Sequence, residues 1–103
     1  MIWIDVASTD EIAPGGWKTV DVDGQLIAVF RLDDGYYAIE DMCTHDGGEL
    51  TGGEIDGDCI ACPRHGARFN IKTGAVLSPP AYNDVQTFPV RLEDGRVQID
   101  VHW

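Results

Sequence analysis

The 103-residue chain has few positive charges: seven Lys and Arg residues stand against eighteen Asp and Glu, for a formal net charge of −11 at pH 7. Nucleic acid and anionic membranes repel a surface of this sign, so we expect neither as a partner. Seven of the acids lie between residues 40 and 58, a stretch without Lys or Arg. This clustering favours docking to a partner with a basic patch over the alternative, in which the charge serves solubility alone.

Long apolar runs are also missing. No run approaches the roughly 18–20 residues that a membrane-spanning helix needs. The N-terminal residues lack the basic and apolar segments of a secretory signal, so we expect a cytoplasmic location. The chain is long enough for one hydrophobic core and too short for an added catalytic domain, and we therefore expect a single domain over residues 1–103.

The sequence contains no convincing helix longer than two turns. Short alternations of apolar and polar residues, separated by turns rich in Gly, Asp and Pro, instead predict an all-β fold of antiparallel sheets. We expect the first four strands to pair as a meander and the last two to form a hairpin. The predicted strands cover residues 2–6, 17–22, 25–32, 36–39, 54–55, 59–61, 67–71, 75–77, 86–92 and 96–101.

The sequence contains only three cysteines, an odd number. In a cytoplasmic chain this count favours metal binding over disulfides. Two of the cysteines lie close to a histidine, in Cys43-Thr44-His45 and Cys62-Pro63-Arg64-His65, and sixteen residues separate His45 from Cys62. Two thiolates and two imidazoles make a complete four-ligand set for a metal centre.

Two kinds of metal centre use such a set. Cys2His2 is a common zinc set, but its usual spacing pairs cysteine with cysteine and histidine with histidine. Here each loop mixes the two types, which suits a binuclear centre in which one iron takes both cysteines and the other takes both histidines. Gly47, Gly48 and Gly66 follow the ligands, where the backbone has to turn sharply. We favour the binuclear iron centre, and zinc stays open as the alternative.

Together with Gly66 and the later Ser78-Pro79-Pro80, the two loops resemble those of the Rieske ferredoxin family. The resemblance implies one [2Fe–2S] cluster ligated by Cys43, His45, Cys62 and His65. It also implies a Rieske-like fold of stacked antiparallel sheets, with a base part of residues 1–39 and 83–103. Residues 40–82 would form an inserted, loop-rich cluster-binding part in which Pro79 and Pro80 shield one side of the cluster.

The same resemblance implies a low reduction potential. High-potential members of the family carry an extra cysteine in each loop, joined as a disulfide, and Gly48 and Arg64 occupy those positions here. High-potential members also donate hydroxyl groups to the cluster from a Ser and a Tyr, and those positions are Ala67 and Phe69 here. We therefore expect a potential near the bottom of the Rieske range, about −150 mV.

Among Rieske proteins the chain is most similar to the soluble ferredoxins of bacterial ring-hydroxylating oxygenases. This implies an electron carrier, not an enzyme, whose partners are a flavin-dependent ferredoxin reductase and a terminal oxygenase. The exposed edges of His45 and His65 would be the electron ports, and we expect a monomer. The alternatives are a small Rieske-like subunit of a nitrite reductase and a zinc-stabilised binding module.

Several other residues invite a functional interpretation. Cys59 is expected to be a small buried residue, not a ligand, and His102 to be structural. Arg64 and Arg68 either dock a partner's carboxylates or pair with the acids of the first loop. We expect the large aromatic residues to belong to the core or its rim, not to an electron relay. These aromatic residues are Trp3, Trp17, Phe30, Phe88 and Trp103.

Overall fold

The computed structural model describes residues 2–101, which contain ten β-strands and no helix. The all-β prediction is therefore confirmed, and no part of the described chain forms a helix that could cross a membrane. The strands, in chain order, are β1 (Trp3–Ser8), β2 (Trp17–Val22), β3 (Gln25–Leu32), β4 (Gly35–Glu40), β5 (Ile55–Asp56), β6 (Cys59–Ala61), β7 (Arg68–Asn70), β8 (Thr87–Phe88), β9 (Val90–Glu93) and β10 (Arg96–Asp100).

The described strands form three antiparallel sheets. The central sheet has the order β2-β3-β4-β8, and the outer sheet has the order β1-β10-β9. The loop sheet, β5-β6-β7, comes from the segment that carries the Cys and His residues. The hairpin signals at Asp23-Gly24 and Asp33-Asp34-Gly35 are confirmed, since β2, β3 and β4 pair consecutively.

The predicted four-strand meander is wrong at its first strand. β1 pairs with β10, with Trp3 opposite Asp100, and does not pair with β2. The predicted strand over residues 86–92 is also wrong, because Pro89 divides it. β8 joins β4 in the central sheet, whereas β9 forms the predicted hairpin with β10 in the outer sheet. Proline has no N–H to donate to a ladder, so the chain leaves one sheet at Pro89 and enters the other. Residues 75–77 form only an isolated bridge, between Phe69 and Val76.

Strand β3 is the centre of the fold because both of its faces are buried. Ala28 and Phe30 pack towards the loop sheet and the Cys-bearing loops, whereas Ile27 and Val29 pack towards the outer sheet. Successive side chains of a strand point to opposite faces, so β3 reads as a nearly continuous apolar run. The Cys-bearing loops therefore rest on the same sheet that the outer sheet covers from behind. The proposed boundaries between a base part and a cluster-binding part stay a prediction.

The aromatic residues divide between the core and its rim, as expected. Phe30 and Phe88 are buried, whereas Trp17 is 43% exposed. Trp3 is half-buried, and the guanidinium of Arg91 lies 4.3 Å from the centre of its ring, a cation–π contact at the surface. The predictions for His102 and Trp103 fall outside the described residues.

Candidate metal centre

The loops that begin at Cys43 and Cys62 have the same backbone hydrogen-bond pattern. In each, the cysteine N–H donates to the carbonyl five residues on, at 2.7 and 2.6 Å. The N–H four residues on donates back to the cysteine carbonyl, at 2.7 and 3.0 Å. That fourth position is Gly47 in one loop and Gly66 in the other, each with φ of 76°, where glycine avoids the penalty of a side chain. Each loop is therefore closed by its own backbone.

The structure brings all four predicted ligands to one end of these loops. Cys43 and Cys62 are buried, and both thiols lie within 4.8 Å of a carboxylate oxygen of Asp46. His45 and His65 are exposed, and their ring centres lie 4.9 Å apart at an interplanar angle of 89°. The two thiols are therefore on the inner side and the two imidazoles on the outer side.

The pKa values of the two thiols shift in opposite directions. Burial raises the pKa of Cys43, and the neighbouring Cys62 thiol adds to that effect, against the backbone N–H groups of His45 and Asp46. Burial also acts on Cys62, but the backbone N–H groups of Arg64 and His65, together with the Cys43 thiol and the Arg64 charge, outweigh it and hold the pKa of Cys62 below its usual value. Backbone donors aimed at Cys62 thus favour its thiolate, the form that binds metals.

Asp46 and Arg64 form an ion pair between the two loops. Arg64 Nε donates to Asp46 Oδ2 at 2.6 Å, and Arg64 Nη2 donates to Asp46 Oδ1 at 3.1 Å. The same Oδ1 accepts the backbone N–H of Gly48 at 2.9 Å. The hydrogen bond from Arg64 holds the pKa of Asp46 well below its usual range. Arg64 therefore pairs with an acid of the first loop, whereas Arg68 pairs with Asp56 of β5, at 3.4 Å.

Gly48 and Arg64, which sequence reasoning noted only as positions without cysteine, lie against each other. A Cβ atom placed on Gly48 would overlap the Arg64 guanidinium. Arg64 Nη2 also donates to Cys62 Sγ at 3.4 Å, a contact that sequence reasoning missed. The sequence signal was an arginine two residues after a predicted cysteine ligand. Ala67 and Phe69, the two positions without a hydroxyl group, are both fully buried.

A buried carboxylate supports the first loop from below. Asp41 accepts the N–H groups of Leu50 and Thr51, at 2.7 and 2.9 Å, and the Thr51 hydroxyl at 2.7 Å. These three donors satisfy a carboxylate that is only 3% exposed. The sequence places Asp41 among the acids of a possible docking surface. The structure shows instead that Asp41 holds Leu50 and Thr51, just after the first loop.

The proline segment is tied to the first loop. The Thr44 hydroxyl donates to the Asn83 carbonyl at 2.6 Å, and the Ser78 hydroxyl accepts the Arg68 N–H at 3.1 Å. These contacts place residues 78–83 beside both loops, and shielding by Pro79 and Pro80 stays a prediction.

Cys59 does not join the other two cysteines. It lies in β6 opposite Asn70 and belongs to neither group of metal-binding side chains found among the described residues. It is half-buried, not fully buried as expected.

The donor set fits an iron–sulfur group. Two buried thiols and two exposed imidazoles are delivered by two closed loops, and soft thiolates select iron–sulfur clusters or zinc. A model of the Rieske [2Fe-2S] domain matches residues 2–89. The chain belongs to the Rieske family. This membership indicates an iron–sulfur cofactor.

Relatives of this Rieske protein are ferredoxin components of oxygenase systems. One relative, from Ralstonia sp., is the ferredoxin component of the naphthalene 1,2-dioxygenase/salicylate 5-hydroxylase systems. The two chains are 37% identical over 97 residues, which cover 94% of this chain and 93% of the relative. A chain from the complex of reduced oxygenase and oxidized ferredoxin in carbazole 1,9a-dioxygenase is 38% identical with a TM-score of 0.90, covering 95% of this chain and 92% of that chain.

A more distant structural neighbour bears on the nitrite reductase alternative. A Mycobacterium tuberculosis protein assigned as an NADH-dependent nitrite reductase small subunit is 26% identical with a TM-score of 0.84, covering 95% of this chain and 93% of that chain. Its lower identity makes it a weaker neighbour than the oxygenase ferredoxins.

Proposed function

We propose that this Rieske protein is a low-potential ferredoxin of a multicomponent oxygenase, and that it acts as an electron carrier rather than an enzyme. It would accept single electrons from a flavin-dependent ferredoxin reductase and pass them to a terminal aromatic-ring dioxygenase or a related oxygenase. The observation that carries the proposal is the pair of exposed imidazoles and the pair of buried thiols that lie around the same Asp46 carboxylate, in a chain whose relatives are ferredoxin components of such systems.

The ligand set that we propose consists of Cys43, His45, Cys62 and His65, which would hold one [2Fe–2S] cluster. When bound, this group supplies a centre that gains and loses one electron. Because both cysteines are buried against the core, their sulfur atoms are shielded from water. The histidines reach the surface and offer their ring edges to a partner. No residue has to move a substrate proton or form a covalent bond for electrons to pass.

The first test is spectroscopic. We expect a brown protein whose dithionite-reduced form gives the low average g-value of a histidine-ligated [2Fe–2S] cluster in low-temperature EPR. A redox titration of the same sample should give a midpoint near the bottom of the Rieske range, about −150 mV. A colourless, EPR-silent protein with stoichiometric zinc would overturn the proposal and leave the zinc-stabilised binding module.

A reconstituted assay tests the partners. With NADH, a flavin-dependent ferredoxin reductase and an oxygenase of the naphthalene or carbazole type, the protein should support product formation. Reduction of a nitrite reductase but of no oxygenase would favour the nitrite reductase alternative. The proposed monomeric state is checked by light scattering, and the cytoplasmic location stays a prediction.

The surface charge supports docking to a basic partner. Three acids of the stretch between residues 40 and 58 lie in ion pairs with Arg64, Arg68 or Lys72. Glu49 and Glu54 of the same stretch are exposed, and no ion pair involves them among the described residues. The excess negative charge beside the first loop is therefore carried by a few exposed acids.

This proposal predicts that reduction by the reductase slows as salt rises, because screening weakens attraction between exposed charges. Glu49→Gln should reduce the salt dependence more than Glu93→Gln, which removes an equal charge from β9. If the rate of reduction did not change with salt, the negative surface charge would serve solubility only.

A further inference from the structure

We propose that Arg64 is a positioning residue with two roles at this centre. Through Asp46 it fastens the second loop to the first, and through Cys62 Sγ it favours the reduced state. The inference rests on the proposed function, since it assumes that the two loops hold a redox centre. It assigns a role to a residue that is neither a ligand nor part of the core.

The first role follows from the geometry of the ion pair. Exposed ion pairs stabilise proteins little unless their geometry is good, and this one is bidentate. The Asp46 carboxylate is itself oriented by the Gly48 N–H, so only the arginine side chain has to be ordered. Each loop is closed by its own backbone, and the other described pair between the two loops, His65 Nδ1 with Asp46 Oδ2 at 3.4 Å, is longer and uses the same carboxylate. The Asp46–Arg64 pair therefore holds one closed loop against the other.

The second role follows from the contact with Cys62. Arg64 Nη2 donates to Cys62 Sγ at 3.4 Å, and a guanidinium keeps its positive charge at any ordinary pH. Hydrogen bonds to ligand sulfurs raise the potential of iron–sulfur centres, because such a bond is stronger when the sulfur carries more negative charge. The missing Ser and Tyr hydroxyls lower the potential, and Arg64 offsets part of that loss.

Gly48 makes both contacts possible. The guanidinium occupies the space where a side chain at this position would begin. Gly48 does not have a positive φ, so alanine fits its backbone. Alanine at this position would therefore displace the guanidinium without straining the loop. This gives a way to move Arg64 without changing any charge.

The test of the second role compares two arginine variants by redox titration of the loaded protein. Arg64→Gln should shift the one-electron reduction equilibrium about tenfold towards the oxidised form, which corresponds to a midpoint about 59 mV more negative. Arg68→Gln is the matched control, since it removes the same charge from another exposed arginine that pairs with an acid at 3.4 Å. Equal shifts in the two variants would show a general charge effect and overturn the sulfur contact.

Gly48→Ala is the independent check. We expect its midpoint to move in the same direction as that of Arg64→Gln, although its net charge is unchanged. An unchanged midpoint in Gly48→Ala would overturn the second role. The visible spectrum of each variant reports whether the centre is intact. A wild-type protein without a Rieske spectrum would instead defeat the proposed function itself.

The first role is tested by the rate of iron loss to a chelator. Asp46→Asn and Arg64→Gln should each speed the loss several-fold, and the double variant should be no faster than the faster single variant, because all three lack the same ion pair. Rates that multiply in the double variant would show that the residues act independently. That result would overturn the cross-link, whatever the midpoints show.

Discussion

The ammonium group of Lys72 lies 2.6 Å from a carboxylate oxygen of Asp34, so an ion pair joins the segment after β7 to the β3–β4 turn. Asp58, in the β5–β6 turn, lies 3.5 Å from the same nitrogen. The Tyr37 ring lies 5.4 Å from that nitrogen, and its hydroxyl donates to Asp34 at 3.1 Å. The hydrogen bond between them raises the pKa of Lys72 and lowers the pKa of Asp34. Lys72 thus connects the loop sheet with the central sheet.

Lys72→Met should lower the Tm modestly, since it removes this connection while keeping most of the aliphatic stem. The effect should be smaller at high salt, because the ion pair is partly exposed. Thermal unfolding at two ionic strengths measures it. The double variant with Asp34→Asn should be little less stable than Lys72→Met, and additive losses would show that Lys72 acts without Asp34.

Asp41→Asn should destabilise the protein by about 1–3 kcal/mol. The amide oxygen can still accept the two N–H groups, but it lacks the negative charge that strengthens those bonds, and the amide NH2 faces the Thr51 hydroxyl in place of an acceptor. Chemical unfolding monitored by fluorescence measures the difference. Asp84→Asn is the control, since within residues 2–101 that exposed carboxylate accepts one backbone N–H, from Val76 at 2.9 Å. Equal losses in the two variants would contradict a special role for the buried carboxylate.

Gly53→Ala should be among the most damaging single substitutions. Its Cβ would overlap the carbonyl oxygen of Ala61, a backbone atom just before Cys62 that cannot swing aside. Overpacking typically costs about 1–3 kcal/mol, and we expect the upper end or more here. Gly52→Ala, with φ of 94° and open space around it, should cost only about 1–2 kcal/mol of backbone strain. Unfolding curves rank the two variants, and the reverse order would be inconsistent with the close approach.

The local elements of this fold could be predicted from the sequence, but the distant pairings could not. The alternation and the Asp-Gly turn define β2 and β3 with the observed boundaries. The partner of β1 lies about ninety residues away along the chain, and an apolar pattern does not say which strand pairs with it. Pro89 did carry a usable signal, because a proline within a predicted strand argues for a break or an edge.

The candidate site shows the same division. Cys43, His45, Cys62 and His65 could be picked out because their residue types and spacing are unusual. The Asp46–Arg64 pair could not be chosen in advance, because each residue had several possible partners of opposite charge. The contact between Arg64 and Gly48 depends on an absent side chain, which no pattern of apolar residues reveals.

The carboxylate of Glu11 should make the stability of the fold depend on pH. The Ser8 N–H and the Lys18 ammonium hydrogen-bond its carboxylate, at 3.0 and 2.9 Å, and lower its pKa from 4.5 to about 2. Because the folded state binds this proton more weakly than the unfolded state, the stabilisation is present above pH 4.5 and disappears as pH falls towards 2. The difference in Tm between wild type and Glu11→Gln should therefore shrink over that interval. A constant difference would show that the carboxylate does not titrate in this way, and Glu93→Gln serves as the control.

His65→Cys tests the proposed ligand set directly. If a cluster assembles, the added thiolate charge should lower the midpoint, because an electron is harder to add to a more negative site. Redox titration with EPR detection measures the shift. A midpoint and spectrum identical to wild type would exclude His65 as a ligand, whereas Cys59→Ser should leave both unchanged.

The two loops that begin at Cys43 and Cys62 are each closed by a pair of backbone hydrogen bonds. Loops held by their own backbone hydrogen bonds have little freedom to rearrange when the charge of a centre bound between them changes by one unit. In an electron carrier this keeps the reorganisation energy of the protein small, since the dipoles around the sulfurs are already in place. On the proposed function, the speed of each transfer would then be governed mainly by how closely the imidazole edges approach the partner's redox centre.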